Sequence, residues 1–314
     1  VIVITGASSG VGRAMAVELA TGMAHLVLAA RRTRPLEELA AECEELGATV
    51  AIVPTDVREA DSMINLAQAA WKSGGAIDVW INNAGVLAAG SFSEIPEEVN
   101  ENVIRTNLLG YMHGAHAVLP FFRQQGYGTL INNISIGGWF PTPYAAAYTA
   151  TKFGIRGFSE SLKAELIPYK DIHVCDLYPG FLDTPGIQHA ANFTGKVIKP
   201  APPVYDPRKV ARAVASLVHA PAPRKMIGGA VPFLKVAYQL FPTLTRNTTA
   251  RFIRTYLKQA DTIDPTSGNV LDTVDYGTGI DGGWRNLPVK PVLRTAFWMM
   301  AGLAIGILAV RESR

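Results

Sequence analysis

Cysteine is scarce: the 314 residues hold only Cys43 and Cys175. They stand far apart in unrelated contexts, which argues against a disulfide framework and a thiolate metal site and suits a reducing compartment. Charge is scarce too. Lys, Arg, Asp and Glu make up 18% of the chain, below the usual quarter or so. The net charge of +3 is scattered, which excludes a nucleic-acid footprint. No methionine opens the chain: Val1 lies inside an apolar run, the pattern of a chain whose native start lies further upstream, with any leader ahead of it. Apolar residues are what abound. At 48% hydrophobic and a mean hydropathy of +0.16, the chain can bury a large core and points to a hydrophobic segment somewhere.

Short apolar runs recur at Val1–Thr5, His25–Ala30, Thr49–Pro54, Val79–Asn82, Thr129–Ile134 and His173–Tyr178. They do not alternate in polarity, as expected of strands covered on both faces. Amphipathic stretches separate them: Val11–Ala20, Leu36–Leu46, Asp61–Lys72 and a long one at Glu97–Phe122. That repetition predicts an α/β fold with a doubly wound parallel sheet, Rossmann-like, as a single domain with a C-terminal helical extension. Beyond the domain, 231–260 is apolar and basic, 261–290 is rich in Asp, Gly, Thr and Asn and reads as a linker, and 292–310 is hydrophobic.

The first strand runs into Thr5-Gly6-Ala7-Ser8-Ser9-Gly10-Val11-Gly12 and then a helix. Glycines let the backbone approach a pyrophosphate closely, and the helix N-terminus offers free N–H groups and a favourable dipole. After the second strand come Arg31 and Arg32, with no carboxylate before Glu37. An acidic residue there suits the ribose of NAD, whereas arginine suits a 2′-phosphate. NADP(H) is therefore the expected cofactor over NAD(H).

Tyr148 and Lys152 sit four apart at the start of a helical pattern, so they share one face. A nearby ammonium favours the phenolate, moving tyrosine toward acid–base work at neutral pH. Ser135 emerges at the carboxyl end of a strand, where such sheets bind ligands. Asn83, Ala84 and Gly85 follow another strand, and Asn107 is a polar residue in the long apolar stretch. A lone Tyr-x-x-x-Lys pair is a frequent accident; this combination is not.

In these motifs the chain resembles the short-chain dehydrogenase/reductase superfamily over roughly residues 1–230. The resemblance implies that Thr5, Gly6, Ser8, Ser9, Gly10, Val11 and Gly12 form the cofactor turn, that Asp56 and Val57 lie at the adenine, and that Pro179, Gly180 and Thr184 hold the nicotinamide amide. It further implies that Tyr148 exchanges a proton with the substrate oxygen, which Ser135 also binds, that Lys152 lowers the tyrosine pKa and holds the ribose, and that Asn107 positions a proton-relaying water. The basic residue that some members carry in the glycine turn is absent, Ser8 and Ser9 standing there, so the NADP(H) preference rests on Arg31 and Arg32. No metal site is expected.

Substrate specificity in that family resides in a lid, here about 181–203. Phe181, Leu182, Ile187, Phe193 and Val197, with Trp139, Phe140 and Tyr144, suit a lipophilic ketone or alcohol, or else pack the lid on itself. Thr295–Val310 lacks charge, and counted from Val292 the segment nears the length of a membrane span. It is read as an anchor holding the catalytic domain on the cytoplasmic side; a buried dimer-contact helix is the other reading. A small-molecule substrate and a homo-oligomer are expected. The competing function is a non-catalytic NADP(H)-binding redox sensor or membrane scaffold, against which the intact tetrad weighs. An epimerase or dehydratase is disfavoured because those carry a different glycine spacing.

Overall fold

Six apolar runs become six of the seven strands of one sheet in the computed structural model, which describes residues 1–285. In chain order the elements are β1 (Ile2–Thr5), α1 (Gly10–Ala20), β2 (His25–Ala30), α2 (Thr33–Glu45), β3 (Thr49–Pro54), α3 (Ala60–Gly74), β4 (Val79–Asn82) and β5 (Ala88–Ala89). Then follow α4 (Glu97–Ile104), a π-helical turn (Arg105–Leu109), α5 (Gly110–Gln125), β6 (Gly128–Asn133), α6 (Ala146–Glu165), β7 (Ile172–Pro179) and β8 (Ala191–Asn192). Last come α7 (Arg208–His219), β9 (Arg224–Ile227), α8 (Ala230–Leu240) and α9 (Pro242–Gln259).

The main sheet has the order β3-β2-β1-β4-β6-β7-β9, every pair parallel. Its direction of growth reverses between β1 and β4, which opens a crevice at their carboxyl ends. One face packs on α1, α2 and α7 through Met15, Leu36, Leu39, Val210 and Val214. The other packs on α3, α5 and α6 through Met63, Leu66, Val118, Phe122 and Leu162. Burial on both faces is why the inner strands do not alternate in polarity.

The structure departs from the sequence reading in three places. The stretch read as one helix over 97–122 is helical without a break but carries a π turn at Arg105–Leu109. The seventh strand, β9, is short, lies at the sheet edge and opens on the charged Arg224 and Lys225, so it leaves no apolar run in the sequence. Residues 261–285 are not a free linker. They lack helix or strand, yet they fold back across the domain, pairing Thr262 with Lys196 and Thr266 with Asn192. They also bury Val270 completely. Among the described residues no helix is long and apolar enough to cross a membrane; the segment 292–310 lies outside them.

Candidate active site

The loops leaving the carboxyl ends of β1, β2, β3, β4, β6 and β7 enclose one cleft of about 460 Å³, the size of a ligand site rather than a packing void. Gly6 has φ +66, and a Cβ on it would lie 2.7 Å from the Ala84 Cα. A Cβ on Gly12 would lie 2.2 Å from the Gly6 carbonyl oxygen. Side chains are excluded there because the turn is pressed against the loop after β4. Ser8, Ser9, Gly10, Val11 and Gly12 line the cleft.

Thr5 and Asn83 fasten these loops together. The Thr5 hydroxyl donates to the Ile81 carbonyl (3.1 Å) and accepts from the backbone N–H groups of Asn83 (3.0 Å) and Ala84 (3.2 Å). Asn83 Nδ2 donates to the Thr5 carbonyl (3.0 Å), and Asn83 Oδ1 accepts from Asn133 Nδ2 (2.9 Å). Asn83, Ala84 and Gly85 reach the cleft wall; Thr5 is buried behind it.

Arg31, Arg32, Asp56 and Val57 line one end. Asp56 is gripped by Arg58, which the sequence reading missed: Arg58 Nη2 donates at 2.7 Å and its backbone N–H at 3.0 Å. Burial pushes the Asp56 carboxyl up, but the hydrogen bonds and charge of Arg58, with Arg31 beyond, outweigh it and hold the group below its ordinary value.

The other end holds Ser135, Tyr148 and Lys152. Ser135 sits at φ +109, a strained backbone for a residue with a Cβ, and this turns its side chain toward α6. Its Oγ accepts from the Gly137 N–H at 3.1 Å, leaving its own hydrogen free on the side of Tyr148, whose phenolate it favours. Lys152 is only 4% exposed. Its Nζ donates to the Asn133 carbonyl (3.4 Å) and lies 5.2 and 5.5 Å from the ring centres of Tyr111 and Tyr148.

Burial lowers the Lys152 pKa to about 7. Burial also pushes the Tyr148 phenol up, with Ser135 opposing. In this structure desolvation is the largest influence on both groups and leans each toward its neutral form. A stability test follows. From an ordinary 10.5 to about 7, the buried ammonium costs roughly 4–5 kcal/mol where it is charged. The cost is full below pH 7, fades as pH rises from 7 toward 10.5, and vanishes above. Lys152→Met should therefore be more stable than the wild type at pH 6 by a few kcal/mol in urea unfolding, with the gap shrinking by pH 10. A gap independent of pH would contradict a buried ammonium.

Asn107 falls in the π turn and is wholly buried. Its Oδ1 accepts from the Val86 N–H (2.8 Å), and its Nδ2 donates to the Val86 carbonyl (2.9 Å) and to Thr151 Oγ1 (3.4 Å). It holds the loop after β4 from behind and does not line the cleft. Pro179, Gly180 and Thr184 do line it, and Thr184 closes over the glycine turn, since a Cβ on Gly10 would lie 3.3 Å from the Thr184 Cβ.

Next to Tyr148 the cleft widens against Phe140, Phe181 and Ile187, as the sequence suggested, and against Leu234, Phe252 and Ile253 of α8 and α9, which it did not. Trp139, Tyr144, Phe193 and Val197 lie elsewhere: Phe193 packs with Val86 and Val270, and Trp139 packs at a tilt against Tyr178.

The model of the short chain dehydrogenase family matches residues 1–193. The chain belongs to this family. It is an oxidoreductase of that fold, similar to the oxidoreductase YxnA of Bacillus subtilis, with 33% identity over 250 residues covering 78% of this chain and 70% of that protein. It is also similar to the 11-beta-hydroxysteroid dehydrogenase A of Sesamum indicum, with 34% identity over 59% of this chain and 53% of that protein. Among solved structures it resembles the alcohol dehydrogenase of Thermococcus sibiricus complexed with 5-hydroxy-NADP (TM-score 0.63, 30% identity, 72% of this chain and 94% of that one). An actinorhodin polyketide ketoreductase with NADPH is similar at TM-score 0.67 and 27% identity, over 73% and 96% of the two chains.

Proposed function

We propose that this dehydrogenase moves a hydride between NADP(H) and a carbonyl or alcohol carbon of a lipophilic substrate, with Tyr148 as the general acid and base. One observation carries the reading: a single cleft is cationic at Arg31 and Arg32, glycine-lined in its middle, and furnished at its far end with Ser135, Tyr148 and Lys152 beside apolar walls. That shape suits an elongated cofactor, anionic at one end and reactive at the other. Both solved relatives described above hold an NADP form, which supports the same choice.

When bound, NADPH supplies the hydride. The rest is the chain's own work. The raised pKa of Tyr148 keeps its phenol protonated at neutral pH, ready to donate to a substrate oxygen. Ser135 has its hydroxyl hydrogen free of the Gly137 contact, so it can turn from Tyr148 to that same oxygen and help hold its developing charge. Lys152, once charged, stabilises the phenolate left behind. Alcohol oxidation runs the other way and needs the phenolate, so its rate should climb as pH rises above neutral while the reduction rate does not.

Phe181, Leu234, Phe252 and Ile253 lead us to a lipophilic substrate. With a homologous series of ketones, kcat/KM should rise with apolar bulk, and Phe252→Ala should flatten that rise while leaving NADPH affinity in place. Equal kcat/KM for small polar and large apolar ketones would sink the lipophilic reading. The apolar sequence 292–310 leads us to place the enzyme on a membrane, catalytic body on the cytoplasmic side. Full-length protein that stays in the soluble fraction without detergent or salt would refute that placement.

A further inference from the structure

The cofactor cleft has a wall that its family resemblance does not foretell. Residues 266–285 cross its outer side, and Asn269, Thr273 and Val274 line it. Arg31 Nη2 donates to the Asn269 carbonyl (2.7 Å), and Arg32 Nη1 donates to the Val274 carbonyl (2.6 Å). Both grips are by main-chain oxygens, which orient the guanidinium groups, while the strap's own Asp272 and Asp275 act on the charges of Arg31 and Arg32 from nearby. The Gly10 N–H donates to the Gly279 carbonyl at 2.9 Å, so the glycine turn is tied to the same segment.

Each end of this strap is fastened. Val270 is fully buried among Val86, Ile95, Val99 and Val103. At the other end the Asp183 carboxylate, 2% exposed, accepts from the Trp284 N–H (2.7 Å) and from Arg285 Nε (2.8 Å). Trp284 Nε1 donates to the Thr184 carbonyl (2.9 Å). The latch is thus built on the turn that lies over Gly10. Between the ends, Gly277 passes so near His189 that a Cβ would meet its Nε2 at 2.3 Å, and the His189 ring nitrogen bonds the Tyr276 carbonyl at 2.9 Å.

We propose that residues 266–285 are a clamp of the cofactor site. They aim Arg31 and Arg32 at the 2′-phosphate, close the adenosine end, and must lift for the nucleotide to leave. The proposal rests on the NADP(H) reading above. A ligand shut behind a latched segment leaves at the rate at which the segment opens, so weakening the latch acts on release more than on capture.

The test uses the full chain with Arg285→Ala, which cuts the latch, and Gly277→Ala, which pushes the strap outward from a residue off the cleft wall. Stopped-flow fluorescence reads NADPH release, and hydrogen exchange reads the strap. Release should quicken about tenfold in each variant, with faster exchange over 266–285. In the wild type, NADP+ should slow that exchange more than NAD+ does. Faster strap exchange with unchanged NADPH release would overturn the clamp, as would a wild-type strap that NADP+ does not protect. Equal wild-type affinity for NADPH and NADH would instead overturn the 2′-phosphate reading and, with it, the aiming role of the two arginines.

Discussion

Tyr148→Phe should lower kcat for ketone reduction by about 10³–10⁴ while leaving the NADPH dissociation constant within about twofold. The ring stays and only the hydroxyl goes, so Tyr148 keeps its packing beside Lys152. The neighbouring phenol of Tyr111 is engaged: pushed up by its own burial, it donates its hydroxyl to the Asn133 carbonyl at 2.7 Å. Steady-state NADPH oxidation and fluorescence titration of NADPH separate the two effects. A variant that keeps wild-type turnover would remove Tyr148 from the chemistry.

The second large effect belongs to the other end of the cleft. Arg31→Ala combined with Arg32→Ala should weaken NADPH binding by about 10²–10⁴, since each charged hydrogen bond to a phosphate is worth roughly 1.5–3 kcal/mol and a factor of ten is about 1.4. NADH, which lacks the 2′-phosphate, should lose far less. The comparison matters because both arginines also hold the strap through Asn269 and Val274. If they act only on the strap, the two nucleotides should weaken alike, and that result would contradict a phosphate-reading role.

Strands and most helices were legible in the sequence because burial on both sheet faces leaves runs such as Leu26–Ala30 without a polar residue. The Tyr148–Lys152 pair was legible because helical spacing alone puts the two on one face. The direction of their pKa values was not: it depends on how deeply α6 buries Lys152, and spacing carries no depth. Asn107 stood out as polar in an apolar stretch, but nothing in the residues announced the π turn or the spending of its amide on the Val86 backbone. Arg58 was overlooked although it lies two residues from Asp56, because a surface arginine in a turn looks the same.

Residues 261–285 misled for a physical reason. Asp, Gly and Thr are the composition of a solvated loop, and the contacts that bind this one are largely main-chain carbonyls held by Arg31, Arg32 and Arg58. Main-chain acceptors leave no trace in a side-chain pattern. The apolar walls from α8 and α9 were missed differently: residues 231–258 were seen as apolar and basic, but only the tertiary fold shows that Leu234, Phe252 and Ile253 face the cleft.

The central claim is that this cleft performs a redox reaction and does not merely hold a nucleotide. Its most direct test is stoichiometric: incubate the wild-type protein with NADPH and a panel of lipophilic ketones, and measure NADPH loss and alcohol formation together. The account predicts one alcohol formed for each NADPH consumed, with both changes slowed about 10³–10⁴-fold in Tyr148→Phe. A protein that binds NADPH tightly yet reduces no ketone in the panel, and oxidises no corresponding alcohol with NADP+, would contradict it and favour a redox sensor.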